Sequence, residues 1–221
     1  MLKVILLVVF LGLHFQVAAR TIRVGVVEQN LTVLNVVNGK FIGSKAKLLQ
    51  CIFDKSGVDF ELQLLPEPRV LNLLASGELN IGLPLSRLPV RDNYATFVEP
   101  FAYITYVLYT TKDIDLSADL SAYRFVAVRG SSRGGGLFAQ RKVQFEEVNS
   151  RSQALELVRI GRFDGVIVPG IVVQGINPDL LAGLKSIDVG VVPISLYVSK
   201  KAADSEKLAV VMNSAIELCA Q

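Results

Sequence analysis

The side chains able to do chemistry in this chain are few. Arg91 stands five residues after Ser86, just past the apolar run 79–85. A guanidinium presents a planar fork that fits a carboxylate with two hydrogen bonds. Arg91 therefore reads either as a solvated surface arginine or as one that captures an anion in a cleft. A second candidate is Gly130-Ser131-Ser132, which follows a strand pattern and precedes a helix-like one. Free N–H groups at a helix start attract anions, and the serine hydroxyls add donors; the same serines also suit a plain N-cap. Gly134-Gly135-Gly136 permits close ligand approach, and no Gly-Lys-Ser/Thr follows as a phosphate-binding Walker loop requires. Glu28, directly after a β-branched run, either lines a cleft floor or caps a loop. Asp164 fits a structural turn, and Arg69 fits the surface. Tyr103, Tyr106 and Tyr109 fit core and crossover packing.

Missing residues exclude other chemistries. The only histidine, His14, lies in the N-terminal apolar segment, so no histidine remains from residue 20 onward. That removes Ser-His-Asp and Cys-His catalysis and any histidine-ligated metal. Two cysteines, Cys51 and Cys219, make no zinc cluster. They fit a disulfide in an oxidising compartment or two buried thiols equally well. No cofactor is expected, and no enzyme.

These side chains need elements to position them. Lys3, the apolar run 4–13 and Val17-Ala18-Ala19 have the layout of a cleaved secretory signal over residues 1–19. The run is shorter than the roughly 20 residues of a membrane span. The mature chain then starts near Arg20 and is exported to the periplasm. Losing Lys3 takes the net charge from +3 to +2 (3 − 1), too small to imply nucleic acid or a membrane surface as partner. Hydrophobic content of 51% supports a sizeable core.

From residue 21 the pattern alternates. A β-branched strand covers 21–27, a turn lies at Asn38-Gly39, and a helix covers 44–56 and ends at Gly57. A strand covers 58–65, a short helix 66–76 opens with Pro66 and Pro68, and a buried strand covers 79–85. Beyond these come strands at 101–110 and 124–128, a helix at 152–159, a strand at 163–168, strands in 187–199 and a terminal helix from 205 to 220. The class is α/β in two lobes, with crossings at 101–110 and near 188–195. Lobe 1 takes residues 20–105 plus 193–221, and lobe 2 takes 106–192. A cleft between such lobes, at the carboxyl ends of strands, is where α/β proteins hold ligands.

In order and spacing the chain resembles the family 3 extracellular solute-binding proteins of bacterial ABC transporters, the amino-acid-binding type with the type II periplasmic binding protein fold. The resemblance covers essentially all of the mature chain. It is carried by Ile22-Arg23-Val24-Gly25, Phe41-Ile42-Gly43, Ser76-Gly77-Glu78-Leu79-Asn80, Leu85-Ser86 through Arg91 to Pro100-Phe101, Val128-Arg129-Gly130-Ser131-Ser132, Gly161-Arg162-Phe163-Asp164-Gly165 and Val198-Ser199-Lys200-Lys201. It implies a carboxylate clamp of Ser86, Arg91, Ser131 and Ser132; Leu85, Glu28 and Pro169 are further candidate ligand-binding residues. It also exposes departures: the family's ammonium-holding aspartate falls on Pro169, and the acidic residue before the third strand is Asn80. A proline cannot balance a buried ammonium, and an unpaired buried charge is costly. The expectation is a monomeric periplasmic protein that captures a small carboxylate-bearing or polar solute for uptake through a membrane permease. The alternatives are a sensing or interaction module of the same fold and, last, a dehydratase-like enzyme.

Overall fold

The structure, a computed structural model, describes residues 21–28, 34–129, 131, 134, 138 and 143–219. The expected signal at 1–19, Gly130 and Ser132 lie outside the described residues. The strands are β1 (Ile22–Val27), β2 (Asn35–Val37), β3 (Lys40–Ile42), β4 (Phe60–Leu65), β5 (Ile81–Ser86), β6 (Ala95–Phe97), β7 (Ala102–Thr110), β8 (Arg124–Val128), β9 (Gln144–Val148), β10 (Gly165–Pro169) and β11 (Lys185–Ser199). The helices are α1 (Ala46–Ser56), α2 (Glu67–Ser76), α3 (Arg151–Arg159) and α4 (Ser205–Cys219).

One sheet runs through the molecule in the order β4-β1-β5-β11-β7-β10-β8-β9, with β6 also on β11. β4, β1 and β5 are mutually parallel, as are β10, β8 and β9. Between these parallel blocks, β11 pairs antiparallel with both β5 and β7. The two halves of the sheet are therefore joined by one long strand and its partner. β11 was expected as several strands, but it is one strand of 15 residues. Its register slips between Asp188 and Gly190, leaving Val189 without a partner on β7, and Gly190 takes φ +143° there. A bulge of this kind bends a strand without ending it. The division expected at 105/106 and 192/193 falls within this β7–β11 ladder.

Each half has apolar packing on both sides. In the first lobe Leu49, Ile52 and Phe53 of α1 pack with Met212 and Ile216 of α4 against Val24, Val26, Ile81 and Val198. Val70, Leu73 and Leu74 of α2 join a second cluster with Leu85 and Tyr197. In the second lobe Ala154, Leu155 and Val158 of α3 meet Val126, Val166 and Val168, and Leu108, Phe125 and Phe138 form a further cluster. Burial of apolar side chains at helical spacing is what holds these short helices, which would be marginal alone. Cys51 of α1 and Cys219 of α4 form a disulfide that closes 168 residues of chain, so the choice left open by the sequence falls to the disulfide.

Local signals end the elements where expected. Gly57 and Gly77 close α1 and α2 at φ +64° and +84°, a conformation that costs glycine little. Ser150 caps α3 by accepting from the Gln153 N–H at 3.2 Å. The Asn38-Gly39 turn belongs to a β2–β3 hairpin whose three-residue strands show no clear period in sequence. Both turn residues have positive φ, as a two-residue hairpin turn demands. β6 and β9 were also unforeseen. β6 has three residues, and β9 is an edge strand exposing Glu146 and Glu147, so neither shows a clear apolar period. Tyr106 and Tyr109 are buried as expected, but Tyr103 is 68% exposed. It alternates to the solvent side of β7, where its partner Pro193 is only half-buried.

Candidate functional site

A cavity of about 390 Å³ opens at the carboxyl ends of β1, β8 and β10, facing the first turns of α2 and α3. Glu28, Pro66, Glu67 and Pro68 line it from the first lobe, and Val128, Arg129, Ser131, Arg151 and Pro169 from the second. Tyr106, on the crossing strand β7, forms part of its floor. The parallel strand blocks point their carboxyl ends here, where helix starts and loop N–H groups also converge.

The expected site residues divide into two groups. Glu28, Ser131 and Pro169 come together around the cavity. Glu28 and Ser131 are exposed in it, and Pro169 is half-buried at the end of β10. Ser86, Leu85 and Arg91 do not line it. Leu85 packs in the core with Val70 and Tyr197. Ser86 is buried at the end of β5 and uses its carbonyl to accept from Arg91 Nη1 at 3.0 Å.

Arg91 itself is only 3% exposed. It starts a single 3-10 turn, residues 91–93. That turn is held by Tyr197, whose hydroxyl accepts from the Leu88 N–H at 3.0 Å and donates to Asp92 Oδ1 at 3.2 Å. Burial pushes the Tyr197 hydroxyl pKa far up, with the neighbouring Asp92 carboxylate adding to it, so the phenol stays protonated and able to donate. Arg91 Nη2 donates to Glu67 Oε1. Glu67 is the first residue of α2 and 7% exposed. Both outer nitrogens of the guanidinium are thus engaged inside the first lobe.

On the opposite wall Arg151 opens α3 directly after its cap, Ser150. It is half-buried, and among the described residues its side chain makes no hydrogen bond and no ion pair. Burial pushes its guanidinium pKa below the ordinary value. Arg129 reaches Glu147 at 3.7 Å, with its side chain 69% exposed.

Two acidic-family positions have structural work. Asn80 Oδ1 accepts from the Arg23 N–H at 2.9 Å, stitching β1 to the start of β5. Asp164 accepts from the Arg124 N–H at 2.6 Å and pairs with Lys112. Burial acts to raise the Asp164 pKa, but these two donors outweigh it and hold the carboxyl below its usual range.

Neither the family models nor the curated proteins match the chain. Solved structures do. The arginine-, lysine- and histidine-binding protein ArtJ from Geobacillus stearothermophilus superposes with a TM-score of 0.66 at 17% identity, over 90% of this chain and 89% of that one. The fold is that of the two-lobed periplasmic binding proteins. A histidine kinase sensor domain with similarity to periplasmic binding proteins gives a TM-score of 0.66 at 18% identity, over 90% of each chain. The ancestral amino-acid-binding protein AncCDT-1, a precursor of cyclohexadienyl dehydratase, gives 0.61 at 17% identity, over 90% of this chain and 88% of that one. At these identities the periplasmic binding protein fold is shared and the ligand is not thereby assigned.

Glu67, Arg129 and Arg151 were missed from sequence. Arg151 had a signal: a basic residue in a helix's first turn opposes the positive end of the helix field, and such local conflicts mark sites with another purpose. Glu67 had none, because an acidic first turn is what any helix favours.

Proposed function

We propose that the protein binds one small polar or anionic solute between its two lobes and passes the solute, or the signal of its binding, to a membrane partner. The observation that carries this reading is the cavity lined from both lobes at the carboxyl ends of β1, β8 and β10. Joining of the lobes through β7 and β11 suits a hinge that closes over a ligand. We place the working compartment outside the cytoplasm: residues 1–19 read as an export signal, and the Cys51–Cys219 disulfide fits an oxidising environment. The protein acts as a monomer, with lobes of 20–105 plus 193–221 and of 106–192.

Binding rather than turnover suits the side chains available. Of the carboxylates among the described lining residues, Glu67 is committed to Arg91 and Glu28 lies exposed, so neither combines burial with a free proton-transfer role. Transport and sensing remain two uses of the same capture step. The likeness to a kinase sensor domain is as good as that to an amino-acid-binding protein, which keeps sensing as the second reading.

The test is a thermal-shift screen of the full exported chain against amino acids, dicarboxylates, aromatic acids and short peptides. A ligand at a hundred times its Kd stabilises by about 2.7 kcal/mol. The expected result is a saturable rise in Tm with at least one solute, accompanied by compaction in small-angle scattering. No shift with any class of solute overturns the reading.

A further inference from the structure

The two walls of the cavity carry opposite charge. The first lobe presents Glu28 and Glu67, and the second presents Arg129 and Arg151. Arg91, on the first lobe, is buried with Glu67 and the Ser86 carbonyl on its outer nitrogens. The start of α2 is therefore neutralised by its own carboxylate. The start of α3 is not: it has no acidic residue in its first turn and carries Arg151 there instead. Helix end and guanidinium add to one positive field, in a cavity where partial exclusion of water strengthens it. Among the described residues the Ser150 hydroxyl meets one N–H of that helix start, and no side-chain hydrogen bond or ion pair engages the Arg151 guanidinium.

We propose that the anionic group of the solute seats on the second lobe, on the guanidinium of Arg151, and that Arg91 is a strut of the first lobe rather than its receptor. This rests on the solute-binding reading above and names its ligand class: a small organic acid whose carboxylate takes the two-pronged hydrogen bond Arg151 offers. Ser131 and Arg129 stand on the same wall to share that anion. Pro169 leaves no acid at the end of β10 for an ammonium, and the exposed carboxylate that could meet one, Glu28, lies across the cavity on the first lobe. The polarity is thus the reverse of a site whose arginine is on the first lobe and whose acid is on the second.

The experiment titrates the full exported chain by calorimetry with three four-carbon probes of similar length: succinate, succinamide and 1,4-diaminobutane. Succinate is expected to bind at least tenfold more tightly than either other probe. Arg151→Gln should weaken succinate at least tenfold, Arg151→Lys by less, and neither should move the Tm of the unliganded protein by more than about a degree. Equal succinate affinity in wild type and Arg151→Gln overturns the proposal, because the anion then sits elsewhere. Preference for 1,4-diaminobutane overturns it too, while leaving solute capture intact. If none of the three binds but another solute from the screen does, with equal affinity in wild type and Arg151→Gln, only the assignment to Arg151 fails. If that solute loses at least tenfold in Arg151→Gln, the assignment stands. If no solute binds at all, the capture reading falls and takes this inference with it.

Discussion

The first turns of α2 and α3 face one cavity with opposite side chains, Glu67 on the first lobe and Arg151 on the second. Glu67 suits its helix end electrostatically, is buried, and holds Arg91. Arg151 opposes its helix end, is half water-exposed, and holds nothing among the described residues. The comparison teaches that charge at a cavity wall serves stability where it is paired and is available for a ligand where it is not. The lobes differ in the same sense elsewhere. The first is stapled by Cys51–Cys219, whereas Asp164 in the second secures the start of β8 by binding the Arg124 N–H.

The largest expected effect comes from breaking the first-lobe pair. Arg91→Ala should destabilise the unliganded protein by about 3–5 kcal/mol in urea unfolding, because it strands a buried carboxylate. The double replacement Arg91→Met with Glu67→Leu should recover most of that loss. A single variant as stable as wild type would end the view of Arg91 as a strut. Next, reduction of the disulfide should lower stability by about 2–5 kcal/mol by freeing a long closed loop in the unfolded chain. Hydrogen exchange would locate the loosening at α1 and α4 rather than at α3.

A smaller effect tests the second lobe. The Asp164 carboxyl is held below its usual range. Its contribution is therefore complete above the unfolded carboxylate pKa of about 3.9 and is lost as pH falls through the lower folded value. Asp164→Asn should cost about 1 kcal/mol at pH 7 and flatten the acid limb of a stability–pH curve. An unchanged limb would assign acid sensitivity to other carboxylates. Smallest of all, Arg151→Glu should leave the unliganded protein as stable as wild type or raise it by about 0.3–1 kcal/mol, since an acid suits a helix start. A marked fall in unliganded Tm would mean that Arg151 is structural after all.

Much of the fold was legible along the chain. α1, α2 and α3 show apolar residues at helical spacing with glycine or a serine cap at an end, and β1 and β10 are β-branched runs. These signals act over a few residues, so they survive in one dimension. β6 and β9 were not legible, because a short edge strand takes its identity from the ladder it joins and not from a period of its own. The site was half legible. Glu28, Ser131 and Pro169 follow or end strands, and strand ends are where a cleft forms. Arg91 was legible as a special arginine, but its partner, 24 residues earlier in the chain, was not.

Local physics written in the chain decides the alternation of elements, where they stop, the absence of histidine chemistry beyond residue 20, and the place of each arginine relative to a strand end or helix start. Tertiary structure alone decides which arginine is spent. Pairing is a contact between residues remote in sequence, and its strength depends on burial that no single segment contains. Packing of α2 against β1 and β5 brings Glu67 onto Arg91, while Arg151 is left on the opposite wall with no ion pair among the described residues.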